Sequence, residues 1–321
     1  MNSSFSTILV SGAGRLGSRY LQGLAKCRLP LKIYVQHANA ESLSRAEKHW
    51  NEILTPEMVH EVSFHTSFEH LPAQIDIAIV ATTADIRPHV VGKITRHTVV
   101  RYWVLEKILA QSEKNLDDLL SHVSEGSKAW VNTARRIIPW HQQIKSKLGL
   151  SHPMTLKVDG GAWGLACNAI HFLDLLAWWT GETLLEVRTD SLSQNWFESK
   201  RPGNWEVSGT LEARFSGGSR ASLSAVEDGD YTSLEVSDSR LLWLIDESKG
   251  MASRSDGIKI PGRITYQSEM SAGLVESILE TGCCGLPTLE ESAALHRVFI
   301  RSMLEHWKQM GNPAAAIVPI T

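Results

Sequence analysis

Ile8-Leu9-Val10-Ser11-Gly12-Ala13-Gly14-Arg15-Leu16-Gly17 opens the chain with a short apolar run that meets a glycine-rich turn at once. Beyond it Leu16, Tyr20 and Leu24 recur at helical spacing, which predicts a helix over 15–26. Pro30 stops that helix, and Leu31-Lys32-Ile33-Tyr34-Val35 reads as a second strand. Strand, turn, helix and strand in this order make a βαβ unit. Each glycine then has a job in a dinucleotide-binding loop. Gly12 turns the chain out of the strand, Gly14 lets the backbone approach a pyrophosphate, and Gly17 lets the helix pack closely on the strand. The helix N-terminus adds N–H donors and the positive end of its dipole, with Ala13, Arg15 and Leu16 completing the loop. The competing reading is a plain glycine-rich strand-to-helix turn. The loop follows a strand, opens a helix and lies near the start of the chain, which favours the cofactor reading.

Further along, residues 41–54 read as helical with Pro56 behind them, and Ile75 to Ala81 is apolar on both faces, as in a strand buried in a parallel sheet. A helix from about Val90, a strand at Trp103-Val104-Leu105, a helix over 114–123 and a short strand ending at Asn132 follow. After about residue 150 the texture changes to alternating or apolar runs over 154–158, 184–188, 206–215, 220–226, 233–236 and 241–245. Gly217-Gly218 and Asp228-Gly229-Asp230 read as hairpin turns between them. Residues 166–180 form a helix with one very apolar side, and Thr288-Leu289-Glu290-Glu291 is a capping box opening a helix to about Met310. The fold class expected is α/β, with an N-terminal Rossmann-like parallel sheet and a C-terminal α/β domain on an open, mostly antiparallel sheet. Its expected domains are 1–122, for the dinucleotide, and 123–321, for substrate and oligomerisation, with the helix 288–310 packing back on the first.

Composition agrees with this and excludes other classes. A chain of 321 residues is longer than one core usually organises, which favours two domains. With 43% hydrophobic and 21% charged residues, long disorder is not expected. A net charge of −3 without a Lys/Arg block argues against a nucleic-acid partner. Cys27, Cys167, Cys283 and Cys284 include no CxxC, so neither a metal site nor a disulfide framework is expected; free thiols point to a cytoplasmic location. The polar first seven residues lack the pattern of a secretion signal, and no apolar stretch is long enough for a membrane span.

The dinucleotide fingerprint also wants an acidic residue at the end of the second strand, to bind the ribose 2′-hydroxyl. Gln36-His37 stands there instead. Without the acid nothing repels a 2′-phosphate, and Arg15 or His37 can pair with one, so the cofactor is NAD or NADP with a slight lean to NADP. Gln36 or Asn39 bonding a ribose hydroxyl is the other reading.

GAGRLG at 12–17, IDIAIVATTADIRPH at 75–89, LEKILAQS at 105–112, VNTARR at 131–136 and CNAIHFLDLLAWWTGE at 167–182 follow one another in an order that resembles the Gfo/Idh/MocA oxidoreductases (glucose–fructose oxidoreductase, inositol dehydrogenase and relatives). The resemblance implies a catalytic Lys beside the nicotinamide, matched by Lys107 after Glu106, with Ile108 where the family carries a proline that is often cis. A Lys at a strand's carboxyl end can donate to a substrate oxygen and stabilise developing charge. The family's Asp four residues before a His falls on Cys167, with His171 as the His. On a helix Cys167, His171 and Asp174 share a face, so His171 can exchange a proton and Asp174 can orient it, with Asn168 adjacent. The bland reading is a core histidine with a structural carboxylate. The resemblance also places Asn132, Arg135 and Arg136 close to substrate, one arginine facing it and one tying structure together. Thr82, Thr83 and His89 are expected beside the nicotinamide, with Ala81 and Glu106 also binding the cofactor. Trp163, Trp178, Trp179, Trp196 and Trp205 read as core before they read as a sugar platform.

The function expected is hydride transfer to or from a sugar, cyclitol or nucleotide-sugar alcohol or ketone, by a homodimer or homotetramer. A cofactor-binding scaffold without chemistry is one alternative. An imine reductase or NAD-assisted lyase is the other.

Overall fold

The computed structural model describes residues 5–53, 59–123, 126–229 and 232–321. Leu54 and Pro56 at the expected helix end, and Asp230 of the expected turn, lie outside the described residues, as do the first four. The chain forms two compact units: Met1–Leu109, Asp117–Asn132 and Thr265–Leu289 in the first, Ala110–Leu116, Thr133–Ile264 and Glu290–Thr321 in the second. A single cut after 122 therefore does not describe them: the last strand of the parallel sheet and a later helix both return to the first unit.

The first unit runs β1 (Ser6–Ser11), α1 (Arg15–Leu24), β2 (Leu31–Gln36), α2 (Ala40–Ile53), β3 (Glu61–His65), β4 (Gln74–Val80), α3 (Arg87–His97), β5 (Val99–Glu106), the greater part of α4 (Glu113–His122) and β6 (Lys128–Asn132). Its six strands are all parallel, in the order β3-β2-β1-β4-β5-β6. The chain steps outward from β1 to β3 and then returns to β4 on the other side, so the order reverses between β1 and β4. Ligands of such sheets bind outside the carboxyl ends of the strands at that point. Ile8, Leu9, Val10 and Ile77 to Val80 are fully buried, as their unbroken apolar runs require. β3 escaped the sequence reading because it is a half-buried edge strand with no apolar run.

The second unit holds α5 (Pro139–Ser146), β7 (Thr155–Gly160), α6 (Leu165–Thr180), β8 (Leu184–Glu198), β9 (Trp205–Phe215), β10 (Arg220–Ala225), β11 (Thr232–Ser237), β12 (Leu242–Asp246), β13 (Met251–Arg254) and β14 (Lys259–Pro261). Its sheet order is β14-β13-β12-β11-β7-β10-β9-β8, antiparallel throughout except for β7 beside β10. Leu156, Val158, Leu211, Leu223 and Val236 are buried, with α6 against β9 and β10, while Thr155, Lys157 and Asp159 alternate outward. Gly217-Gly218 joins β9 to β10 as a hairpin, as expected. Asp228-Gly229 does not make one, because β7 lies between β10 and β11; the Gly229 carbonyl instead accepts from Ala162 N at 2.8 Å, just beyond β7. β8 extends far past the expected 184–188 because register shifts break its alternation.

The last two helices divide between the units. α7 (Gln267–Thr281), not expected from the sequence, packs on α1 in the first. α8 (Leu289–Gln309) belongs from Glu290 onward to the second, rather than returning to the first. Among the described residues no helix is long and apolar enough to cross a membrane.

Candidate functional site

The glycine loop is built as its chemistry requires. Gly12 has φ +100°, and a Cβ there would lie 2.8 Å from the Ala81 carbonyl carbon. A Cβ on Gly17 would lie 1.8 Å from the Gly12 oxygen, so a side chain there pushes α1 off the turn. Gly14 differs. It is exposed, and among the described residues a Cβ there would meet no atom within 4 Å. Nothing in the protein's own packing demands glycine at that point, whereas a phosphate brought against the backbone does. α1 starts immediately after it with no side-chain cap and no acidic residue in its first turn. Its first N–H groups are thus left to an anion, and the loop fits a dinucleotide pyrophosphate.

The carboxyl ends of β1, β4 and β5 lie side by side in the sheet. Ala81 N donates to the Ser11 carbonyl at 2.8 Å, and Ala81, Thr82 and Thr83 are half-buried in the loop that follows β4. His89 is exposed on the first turn of α3. After β5 comes Lys107, half-buried, and its peptide bond to Ile108 is cis, at the place where the resemblance expects a proline. Arg87, 1% exposed, donates from Nη1 to the Ile108 carbonyl and from Nη2 to the Thr82 carbonyl. One guanidinium thereby ties the loop after β4 to the loop after β5.

Glu106 and Asn132, expected beside cofactor and substrate, are both buried and bonded to each other. Asn132 Nδ2 lies 2.7 Å from Glu106 Oε1, 2.8 Å from the Tyr20 hydroxyl and 2.8 Å from Gln267 Oε1. The Tyr20 hydroxyl donates to Glu106 Oε1 at 2.6 Å. Burial pushes the Glu106 carboxyl above its ordinary range, and Tyr20, Asn132, Arg87 and Lys107 pull it back. Burial and the neighbouring Glu106 also push the Tyr20 phenol up. Tyr20, Arg87 and Gln267 were not singled out from the sequence. A tyrosine on the buried face of α1 must find a partner for its hydroxyl, which was the one available signal.

At the end of β2 the side chain of Gln36 is buried. Its Oε1 accepts from Ser11 Oγ at 2.9 Å and its Nε2 donates to the Thr66 carbonyl. His37 is half-buried; burial, helped by Arg45, holds its imidazole below the ordinary value, so it is neutral at pH 7. Arg45 itself pairs with Glu41. Arg15 is exposed.

In the second unit, Asp174 is 2% exposed and bound by Arg136, whose Nε and Nη2 donate to its two oxygens at 2.9 and 2.6 Å. Thr133 Oγ1 adds a bond at 2.8 Å. Burial raises the Asp174 carboxyl, and Arg136 opposes it. Arg135 is equally engaged, with Nε and Nη2 on Glu247 and its guanidinium over the Phe172 ring at 4.3 Å. Both arginines are therefore held in ion pairs, rather than one being held and one available. His171 lies one turn beyond Cys167 on α6 and is half-buried. Glu206 accepts from Ala166 N and Cys167 N at the start of α6, and Asn168 Nδ2 donates to the Trp163 carbonyl at 2.7 Å. Trp196 and Trp205 both pack on Trp307, Trp163 meets Phe172 edge-on, and Trp179 is buried, so these rings are packing residues.

No family model matches the chain, and no curated protein matches its sequence. Solved structures do match its fold along nearly the whole length. UDP-N-acetylglucosamine 3-dehydrogenase from Acidithiobacillus ferrooxidans is 16% identical, with a TM-score of 0.70 over 96% of this chain and 99% of that one. Scyllo-inositol dehydrogenase from Lactobacillus casei, solved with NAD(H) and scyllo-inositol, is 16% identical, with a TM-score of 0.68 over 95% and 98%. An oxidoreductase from Agrobacterium radiobacter, solved with NAD+, L-tartaric acid and magnesium, is 11% identical, with a TM-score of 0.70 over 94% and 96%. These neighbours are oxidoreductases of the Gfo/Idh/MocA type, and the likeness is one of fold.

Proposed function

We propose, from a fold shared with sugar and cyclitol dehydrogenases and a glycine loop fitted to a pyrophosphate, that this chain is an NAD(P)-dependent oxidoreductase. Its substrate is a sugar, cyclitol or nucleotide sugar, oxidised at an alcohol or reduced at a ketone. The observation that carries the reading is Gly14, an exposed glycine with open space at its Cβ position, in the turn after β1 of the sheet whose β5 is followed by Lys107. The N–H groups at the start of α1 bind the pyrophosphate, and Ala81, Thr82 and Thr83 face the rest of the dinucleotide. When bound, the nicotinamide supplies or takes up the hydride. The Lys107 ammonium donates to the substrate oxygen and stabilises the charge that grows there. With Gln36 in place of an acid, no carboxylate at the end of β2 repels a 2′-phosphate, so NADP is the cofactor assigned, with NAD tolerated.

Titration with NADH and NADPH, followed by a panel of cyclitols, sugars and nucleotide sugars, tests this. Lys107→Met is expected to cut turnover by about 100-fold or more, the scale of losing one charge-stabilising donor, while cofactor affinity stays near that of the parent. Unchanged turnover removes Lys107 from the chemistry. A second reading, a cofactor-binding protein without turnover, draws on Cys167 at the family's acid position and on Asp174 engaged by Arg136. Tight NADPH binding with no turnover across the whole panel favours it.

A further inference from the structure

The turn after β2 lies against the glycine loop. Ser11 is paired with Gln36 across β1 and β2, and Gly12 N donates to the Gln36 carbonyl at 2.8 Å. A dinucleotide with its pyrophosphate on the start of α1 therefore sets its adenosine ribose beside residues 37–42. Two amides there are already spent on the fold. Gln36, 7% exposed, accepts from Ser11 Oγ and donates to the Thr66 carbonyl. Asn39 Oδ1 accepts from Ser42 N at 2.8 Å at the start of α2. His37 is kept neutral at pH 7 by burial and by the Arg45 charge, so it brings an N–H but no positive charge.

The positive charge at this turn belongs to Arg45. Its guanidinium reaches back to the first turn of α2, where Nη2 donates to Ser42 Oγ at 2.9 Å and Nη1 donates to Glu41. Both side chains of the Arg45–Glu41 pair are exposed, 58% and 80%, and an ion pair so hydrated is weak. A phosphate monoester offers the planar fork more charge and three acceptor oxygens, so it displaces a single exposed carboxylate. The Ser42 hydroxyl, which accepts from Arg45, also has a proton of its own to donate to that phosphate. We propose that Arg45 and Ser42 form the subsite for the 2′-phosphate of NADP, with Glu41 as the counter-ion that holds Arg45 until the phosphate displaces it. The inference rests on the dinucleotide reading and deepens it, by naming the residues that choose between the two cofactors.

Fluorescence titration of the full chain with NADPH and with NADH, at one ionic strength, gives two affinities for each variant and needs no turnover. The parent is expected to prefer NADPH. Arg45→Ala weakens NADPH binding about tenfold or more, the scale of a hydrogen bond to a charged group, and leaves NADH within about twofold. Arg45→Lys keeps the charge without the fork and recovers only part of the loss. Glu41→Gln removes the competing carboxylate, so NADPH binds about two- to fivefold tighter while NADH is unmoved. A parent that prefers NADH, or an Arg45→Ala chain whose NADPH affinity is unchanged or falls together with that for NADH, overturns the proposal. So does a loss of NADPH preference in Arg15→Ala with none in Arg45→Ala, which gives the phosphate to Arg15 at the start of α1. A parent that binds neither dinucleotide fails the functional reading and this subsite with it. A parent that binds both, with a ratio that Arg45→Ala does not change, fails the subsite alone.

Discussion

Asp174 stands three residues after His171, a spacing that suits an orienting carboxylate, yet its two oxygens accept from Arg136 Nε and Nη2 and from Thr133 Oγ1. Spacing on a helix puts two side chains on one face; it does not say which of several neighbours the carboxylate serves. A guanidinium fork matches a carboxylate in both charge and geometry, so Arg136 outcompetes weaker donors. Asp174→Asn strips the half-buried Arg136 of its main counter-charge and of a charge-assisted bond, which costs about 1–3 kcal/mol, less than for a fully buried pair. Glu291, 3.7 Å from Arg136 Nη1 but largely exposed, offsets little of it. Urea unfolding is the measurement, and a loss below about 1 kcal/mol would show that this pair carries little of the fold. The same limit applies to Arg135, Arg136 and Asn132. Their types were legible as polar groups after a strand, but their partners Glu247, Asp174 and Glu106 come from distant parts of the chain.

At the scale of the element, the first strand, glycine turn and helix, expected at 8–10, 12–17 and 15–26 and found as β1 and α1, were legible in the sequence alone, because every requirement is local: an apolar run, three glycines and helical spacing. The structure assigns the glycines different tasks, and substitution separates them. Gly14→Ala is expected to leave stability within about 1 kcal/mol, the scale of a change at an uncapped helix start, while NADPH affinity falls at least about tenfold because the new methyl occupies the phosphate approach. Gly17→Ala, with its Cβ against the Gly12 oxygen, should lose stability and affinity together. Fluorescence titration and thermal unfolding of both variants check this, and a Gly14→Ala chain that binds NADPH like the parent would falsify the pyrophosphate assignment. Elsewhere local reading failed where periodicity failed: β3 is a half-buried edge, and β8 carries bulges that shift its alternation.

For the molecule as a whole, five histidines share one direction. Burial holds His37, His60, His65, His141 and His306 below the ordinary imidazole value, His141 even beside Glu247. As pH falls through about 6.5, the unfolded chain takes up protons that the folded chain refuses, so folding loses stability. Glu106 and Asp174, pushed upward by burial, act with the opposite sign, from the ordinary carboxylate range upward, and soften that loss. Glu182, Glu247 and Glu276 are held low by their partners and add a further loss in stronger acid. The thermal midpoint is therefore expected to fall between pH 7.5 and pH 5.5, measured at constant ionic strength; a midpoint that holds or rises over that range contradicts the sign.

What the sequence by itself determined is the fold class and the place of the glycine loop proposed for the cofactor, because period, turn chemistry and strand burial are written in neighbouring residues. Gly12, Gly14 and Gly17 name that place without reference to anything far away. The tertiary structure decided which polar residues are spent on the protein itself. Asn132, Glu106 and Asp174 had the chemistry of site residues, but each is buried, and a buried polar group binds whatever donor the fold brings within reach. Tyr20 and Gln267 are the reverse case: nothing local names their partners, and only the sheet order and the packing of α7 on α1 gather them around Glu106 and Asn132.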